Sequence, residues 1–228
     1  MLKKISFLGA GNIAKAIMGG MLKQGVAAEN LFAADPSPEQ LAKLAPGVSA
    51  LADNLAAIEQ ADIVVLAVKP NTISQLCTTL APHIGNRLVI SVAAGIQSET
   101  LQNGLGKDVP IIRCMPNTPA LVQAGMTGLF ATSNVTNAQK QIAESILSAI
   151  GLVEWFENER DLDAVTAVSG SGPAYFFLII EAMEAAAVKL GLTPAVAHQL
   201  VTQTALGAAL MARDTDGPIS VLRNNVTS

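Results

Sequence analysis

The sequence has 228 residues, half of them hydrophobic and only 14% charged, with a mean hydropathy of +0.43. That apolar content excludes an intrinsically disordered chain, and the length fits one large domain or, preferably, two small ones, because single cores stop growing near ~250–300 residues. A net charge of −4, from 14 basic and 18 acidic residues, offers no electrostatic footprint for nucleic acid or anionic lipid.

Met1-Leu2-Lys3-Lys4-Ile5 runs into strand-like sequence without the apolar core and cleavage site of a signal peptide, so a cytoplasmic location is expected. A strand is predicted over 4–9 and a helix over 12–24, with Ile13, Ile17 and Met21 on one face. The turn between them, Gly9-Ala10-Gly11-Asn12-Ile13-Ala14, is the G-x-G-x-x-A form of the dinucleotide fingerprint in strand–turn–helix context. Its first glycine permits the turn, its second lets a pyrophosphate approach the backbone, and the helix N-terminus supplies amide donors and positive dipole.

The next strand, 30–35, ends on Asp35, about 20 residues on, where an acidic side chain usually accepts from the ribose hydroxyls of NAD and repels the 2′-phosphate of NADP. Ser37, in Asp35-Pro36-Ser37-Pro38, offers a hydroxyl and a helix start to a phosphate, although no arginine follows to neutralise it. Both cofactors, NAD and NADP, stay open on these residues.

Further strands are predicted over 62–68, 87–93, 109–114, 126–132 and 152–156, with helices over 71–81 and 136–149. The alternation points to βαβ units feeding a mostly parallel sheet, whose C-terminal edge is where ligands bind. Three strand ends carry candidate loops: Ala67-Val68-Lys69-Pro70, Ser91-Val92-Ala93-Ala94-Gly95, and Arg113-Cys114-Met115-Pro116-Asn117-Thr118-Pro119. The longest uncharged stretch, between Arg113 and Lys140, holds prolines, glycines and asparagines at a density no spanning helix tolerates, so no membrane partner is expected. Cys77 and Cys114 have apolar neighbours, as buried thiols do, and Trp155 and Phe156 read as core. No metal-ligand cluster is evident, and neither His83 nor His198 lies near the candidate loops.

Near Asp161 the pattern changes to Ala-rich helix, which sets a domain boundary between 1–160 and 161–228. A helix over about 165–190 opens within the stretch 163–175, rich in small residues and hydroxyls, and ends at Gly191; another starts at Thr193-Pro194. Leu178, Ile179, Ile180 and the surrounding alanines leave little polar face, so a tail of this size is expected to bury them in a subunit interface.

The fingerprint Phe7–Ala14, the three strand-end loops, and Ala167-Val168-Ser169-Gly170-Ser171-Gly172-Pro173-Ala174-Tyr175 together resemble the pyrroline-5-carboxylate reductase family along nearly the whole chain. The resemblance implies an α/β architecture, a Rossmann-type domain followed by an all-helical dimerisation domain that builds larger rings. It implies NAD(P)H-dependent reduction of the C=N bond of 1-pyrroline-5-carboxylate to L-proline, the last step of proline biosynthesis. On it, the cofactor lies along Leu8, Gly9, Ala10, Gly11, Asn12, Ile13, Asp35, Ser37, Asn54, Ala67, Val68, Lys69, Pro70, Ala93 and Ala94, with Asn225 approaching it.

Glu159 matches an acidic residue near the substrate, and Thr166 and Ser228 are assigned with it to the catalytic site. The family holds the substrate carboxylate with a Ser-Pro-Gly-Gly-x-Thr segment whose serine is Ser228, so a chain ending there is expected to lack part of that anchor and to turn over poorly. A β-hydroxyacid dehydrogenase would need a lysine one turn into the long helix, followed by an asparagine, where this chain has Phe176 and Ile179-Ile180. A non-catalytic dinucleotide-binding oligomer is the other reading; polar loops at several strand ends weigh against it.

Overall fold

A parallel sheet covered by helices on both faces requires strands that are apolar along their whole length, and the short runs in this sequence meet that requirement. The computed structural model describes residues 3–227. Its strands are β1 (Ile5–Leu8), β2 (Leu31–Ala34), β3 (Ser49–Leu51), β4 (Ile63–Leu66), β5 (Leu88–Ser91), β6 (Ile111–Met115), β7 (Gly125–Ala131) and β8 (Gly151–Trp155). They form one sheet in the order β3-β2-β1-β4-β5-β6-β7-β8. Pairing is parallel except between β6 and β7.

The helices are α1 (Asn12–Lys23), α2 (Pro38–Leu41), α3 (Asn54–Glu59), α4 (Ile73–Ile84), α5 (Ser98–Leu105), α6 (Asn137–Leu147) and α7 (Asp161–Val165). A π-helical turn over Thr166–Gly170 follows, then α8 (Gly172–Lys189), α9 (Pro194–Arg213) and α10 (Ile219–Thr227). Alternation along the strands splits the core in two. Ile5, Phe7, Val65 and Ile90 meet Ile17 and Met21 of α1 and Ile146 of α6 on one face; Leu8, Val64, Leu66 and Val89 meet Ile58, Leu76, Leu80 and Leu101 on the other.

Every predicted strand is present within a residue or two. The edge strand β3 was not anticipated: three residues without a buried side chain carry no periodic signal. Helices α3 and α5 were also not anticipated, being short and partly polar. Helix α4 runs through Pro82 to Ile84, past the predicted end at 81, because proline in the last turn removes only one intrahelical bond. Trp155 and Phe156 are half-buried rather than core, since β8 is a sheet edge; Trp155 Nε1 donates to Glu144 at 3.3 Å.

The chain divides into two compact units, Met1–Ser171 and Gly172–Ser228, some ten residues later than the change of pattern near Asp161. The reason is α7. Leu162 is fully buried, and Gly128 on β7 makes room for it: a Cβ there would lie 3.0 Å from both Leu162 and Val165 side chains.

In the second unit, Gly191 takes φ +99° to end the segment after α8, and the Thr193 hydroxyl caps α9 by accepting from Val196 N at 3.4 Å, with Pro194 at the first helical position. Its helices leave Tyr175, Phe176, Phe177, Leu178 and Ile179 more than half exposed. By length and composition alone Asp161–Lys189, with a mean hydropathy of 1.3 over an 18-residue window, is apolar enough to cross a bilayer, a stretch the sequence reading did not single out. The π-helical turn interrupts its regular bonding, and an apolar face of this extent is also what a subunit interface needs. Replacing Ile179 by Glu is expected to shift the assembly toward smaller species in sedimentation velocity; a wild-type protein that already sediments as a well-behaved monomer would contradict the interface.

Candidate dinucleotide and active site

Strand β1 delivers the chain into a turn that only glycine can make. Gly9 has φ +99°, its N–H donates to Ala34 O at 2.7 Å, and a Cβ would lie 2.5 Å from the carbonyl oxygen of Ala67. Gly11 is different. Its φ is −71°, and a Cβ built there would meet nothing within 4 Å, so the protein's own packing does not demand a glycine. The space lies at the N-terminus of α1, where Gly11 offers no side-chain cap and no acidic residue occupies the first turn. Amides without a side-chain cap, positive dipole and open space beside the Gly11 backbone fit a pyrophosphate.

Asp35 closes β2 and is tied to both sides of the turn. One carboxylate oxygen accepts from Ala10 N and the other from Ser37 N, each at 2.8 Å. Ser37 caps α2 by accepting from Gln40 N at 3.4 Å. Lys15, one turn into α1, donates to Gln40 Oε1 at 2.9 Å; the sequence reading looked for a cation after Asp35 and missed this one on the preceding helix. The only signal for it was its position four residues after Gly11, on the helix face next to the fingerprint.

The remaining cofactor candidates sit at the same edge of the sheet. Asn54 begins α3 behind its cap Asp53, which accepts from Leu55 N and Ala56 N at 3.1 and 3.3 Å. Ala67 N bonds Leu8 O at 2.8 Å, holding Ala67 and half-buried Val68 beside the turn, while Lys69 and Pro70 are exposed. Ala93 is buried and Ala94 exposed at the end of β5. These positions flank β1 and β4, where the strand order reverses, the site at which open α/β sheets bind ligands.

Asn12 and Ile13 continue from the turn into a cavity of about 330 Å³, whose other walls include Ala94, Met115, Asn117, Thr118 and Gly170. Asn117 is held by three bonds. Its Oδ1 accepts from Met126 N at 2.9 Å, and its Nδ2 donates to Ser169 O and Oγ at 3.1 Å. The α-helical partner four residues after Ser169 is Pro173, which has no N–H to give, and Asn117 supplies a donor to that carbonyl. The π-helical turn is thereby pinned to the cavity wall, a setting in which such turns are often functional.

Neither Glu159 nor Thr166 lines this cavity. Glu159 accepts from Ser98 N and Ser98 Oγ at 2.6 Å and from Arg113 at 3.0 Å, joining the start of α5 to β6. Arg113 is 5% exposed, so the pair is nearly dry on its basic side. The Thr166 hydroxyl donates to Leu162 O at 2.8 Å. Asn225 is exposed on α10 in the second unit, and Ser228 lies outside the described residues. Burial pushes both thiols up, Cys77 to about 11 and Cys114 further, so neither is a thiolate near neutral pH.

Comparison with known proteins matches residues 159–228 to the family model "pyrroline-5-carboxylate reductase dimerisation" and residues 4–95 to "NADP oxidoreductase coenzyme F420-dependent". The chain is 47% identical over 228 residues to a pyrroline-5-carboxylate reductase of Pseudomonas aeruginosa, covering 99% of this chain and 84% of that protein. It superposes on the Coxiella burnetii pyrroline-5-carboxylate reductase with a TM-score of 0.93 at 43% identity, covering 99% and 85%. The Plasmodium falciparum pyrroline carboxylate reductase, solved with NADP bound, gives 0.90 at 32% identity, covering 99% and 84%.

Two substitutions separate binding from folding. Gly11→Val is expected to abolish dinucleotide binding by calorimetry while leaving the melting temperature within a few degrees, because the added methyls enter only the cradle; unchanged affinity would make the turn purely structural. Glu159→Ala strands the buried Arg113 charge and is expected to cost about 3–5 kcal/mol in denaturant unfolding, a loss of under ~1 kcal/mol showing that the pair is not holding β6 to α5.

Proposed function

The chain belongs to the pyrroline-5-carboxylate reductase family, and from that premise we propose that it reduces the C=N bond of 1-pyrroline-5-carboxylate to L-proline with NADH or NADPH. The observation that carries this reading is continuity: Asn12 and Ile13 follow the cradle at Gly11 and also wall the cavity that Asn117 and Thr118 line. One extended ligand with a phosphate end and a reactive end fits along that wall.

The residues divide the work accordingly. The amides after Gly11 hold the pyrophosphate, Asp35 meets the adenosine ribose, and the loops at Ala67–Pro70 and Ala93-Ala94 flank the dinucleotide where β4 and β5 end. The reduced nicotinamide, when bound, supplies a hydride to the imine carbon while a proton ends on the ring nitrogen. A protonated imine is already electrophilic, so the protein's task is to hold the reacting carbon in line and exclude water. Apolar Val92, Met115 and Leu121 around the cavity serve that exclusion, and the lack of a nearby histidine costs nothing.

Glu159 acts in this scheme as the tie between β6 and α5, and Asn117 as the polar group at the reactive end. Alcohol oxidation of the β-hydroxyacid type is disfavoured because Phe176 and Ile179-Ile180 occupy the places of its lysine and asparagine. A cytoplasmic setting suits the biosynthetic role and the two unpaired, buried cysteines.

Loss of NAD(P)H absorbance on adding 1-pyrroline-5-carboxylate, with L-proline as product, is the direct test; absence of turnover in a folded, cofactor-binding preparation would sink the assignment. Asn117→Ala is expected to lower kcat by about tenfold or more while the cofactor Kd stays within about threefold, because it releases the π-helical turn without touching the cradle.

A further inference from the structure

Between α1 and the end of β2 the structure places an ammonium with no acidic partner. Lys15 is half-buried, its Nζ is held at 2.9 Å by the neutral Gln40 Oε1, and no carboxylate lies within 4 Å of it among the described residues. A lysine head group has three donors, and Gln40 engages one. Both carboxylates near this corner are committed elsewhere: Glu39, next to Gln40, pairs with Lys43 at 2.6 Å, and each oxygen of Asp35 accepts a backbone N–H. Two amide donors offset part of its negative charge and fix its direction toward the Ala10 turn. The corner therefore combines a subdued carboxylate with an under-used cation.

We propose that Lys15 selects the cofactor: its ammonium, steadied by Gln40, receives the 2′-phosphate of NADPH and so reverses the preference for NADH that Asp35 would otherwise impose. The inference rests on the dinucleotide reading of the Gly9–Ile13 turn, not on the identity of the imine. It follows from the ordinary chemistry of this corner, where a free carboxylate favours ribose hydroxyls and a nearby cation admits the extra phosphate. Here α1 supplies the cation, not the residues after β2. Gln40 and the Ser37 hydroxyl, both partly buried, complete a polar rim around it. Lys15 also sits on a rigid helix turn, its N–H bonded to Gly11 O at 3.0 Å, so the cradle and the cation move as one body.

The experiment measures dissociation constants of NADPH and NADH by fluorescence titration for the wild type, Lys15→Met and Lys15→Arg. The adenosine probes 2′,5′-bisphosphate and 5′-monophosphate are titrated alongside, since they need neither a nicotinamide nor turnover. Lys15→Met is expected to weaken NADPH and the bisphosphate by about tenfold or more while NADH and the monophosphate change less than about twofold. Lys15→Arg is expected to keep the wild-type ranking, and the advantage of NADPH is expected to shrink with added salt. Equal losses for both cofactors, or no loss in Lys15→Met, would overturn the assignment of Lys15 while leaving the dinucleotide reading intact. Failure of the wild type to bind any of the four compounds would remove the dinucleotide reading and this inference with it.

Discussion

The approach of Gly9 to the carbonyl of Ala67 leaves room for a hydrogen and nothing larger, and it governs the whole cofactor end of the molecule. Because β1 and β4 are neighbours, the end of one must pass over the end of the other before α1 can start. The passage places Ala10 where its N–H reaches Asp35, which in turn orders Ser37 and the start of α2. It also points the first turn of α1 outward with its amides uncapped. A side chain at residue 9 would therefore disturb more than one turn: it would misplace Asp35, Lys15 and the cradle together.

Farther along the sheet, polar ties take over from backbone shape. Strand β7 runs against β6, and β8 follows it in parallel with Gly151 packed so closely on Gly125 that a Cβ would fall 2.0 Å from the Gly125 carbonyl oxygen. This half of the sheet carries the loop from Met115 to Val122 and the π-helical turn, and two side chains keep them registered. Asn117 joins β7 to the turn, and Glu159 joins the segment before α7 to β6 and α5. Each meets a group that is costly to leave unpaired: Asn117 donates to the Ser169 carbonyl, and Glu159 answers a buried guanidinium.

Much of this could be read from the residues. The Gly9-x-Gly11 turn, Asp35 at the end of β2 and the strand-end loops after β4, β5 and β6 are local signals, each confined to a few consecutive residues. What escaped was long-range. Lys15 and Gln40 are 25 residues apart, Glu159 and Ser98 61 apart, and Asn117 and Ser169 52 apart, so no periodicity within a window links them. Glu159 is an example: that its carboxylate is bound by Ser98 and Arg113 and does not line the cavity follows from contacts no local motif displays. Helix α7 is long-range in the same way: helical in pattern, it is seated on β7 through the gap at Gly128, so the compact units part after Ser171 while the pattern changes near Asp161.

The helices after Gly172 expose aromatic and aliphatic side chains while burying few of their own residues, Ala197 and Val201 among them. Covering that face with a second chain adds to the unit a stability that depends on concentration, which ties folding to mass action. Its unfolding midpoint then rises with protein concentration, and dilution acts on it as a denaturant acts on other proteins. The Rossmann-type unit has its own two-sided core and escapes that dependence. Heating a dilute sample would loosen the helical end first, so the fraction of competent enzyme in a cell is set partly by how much of the chain is made.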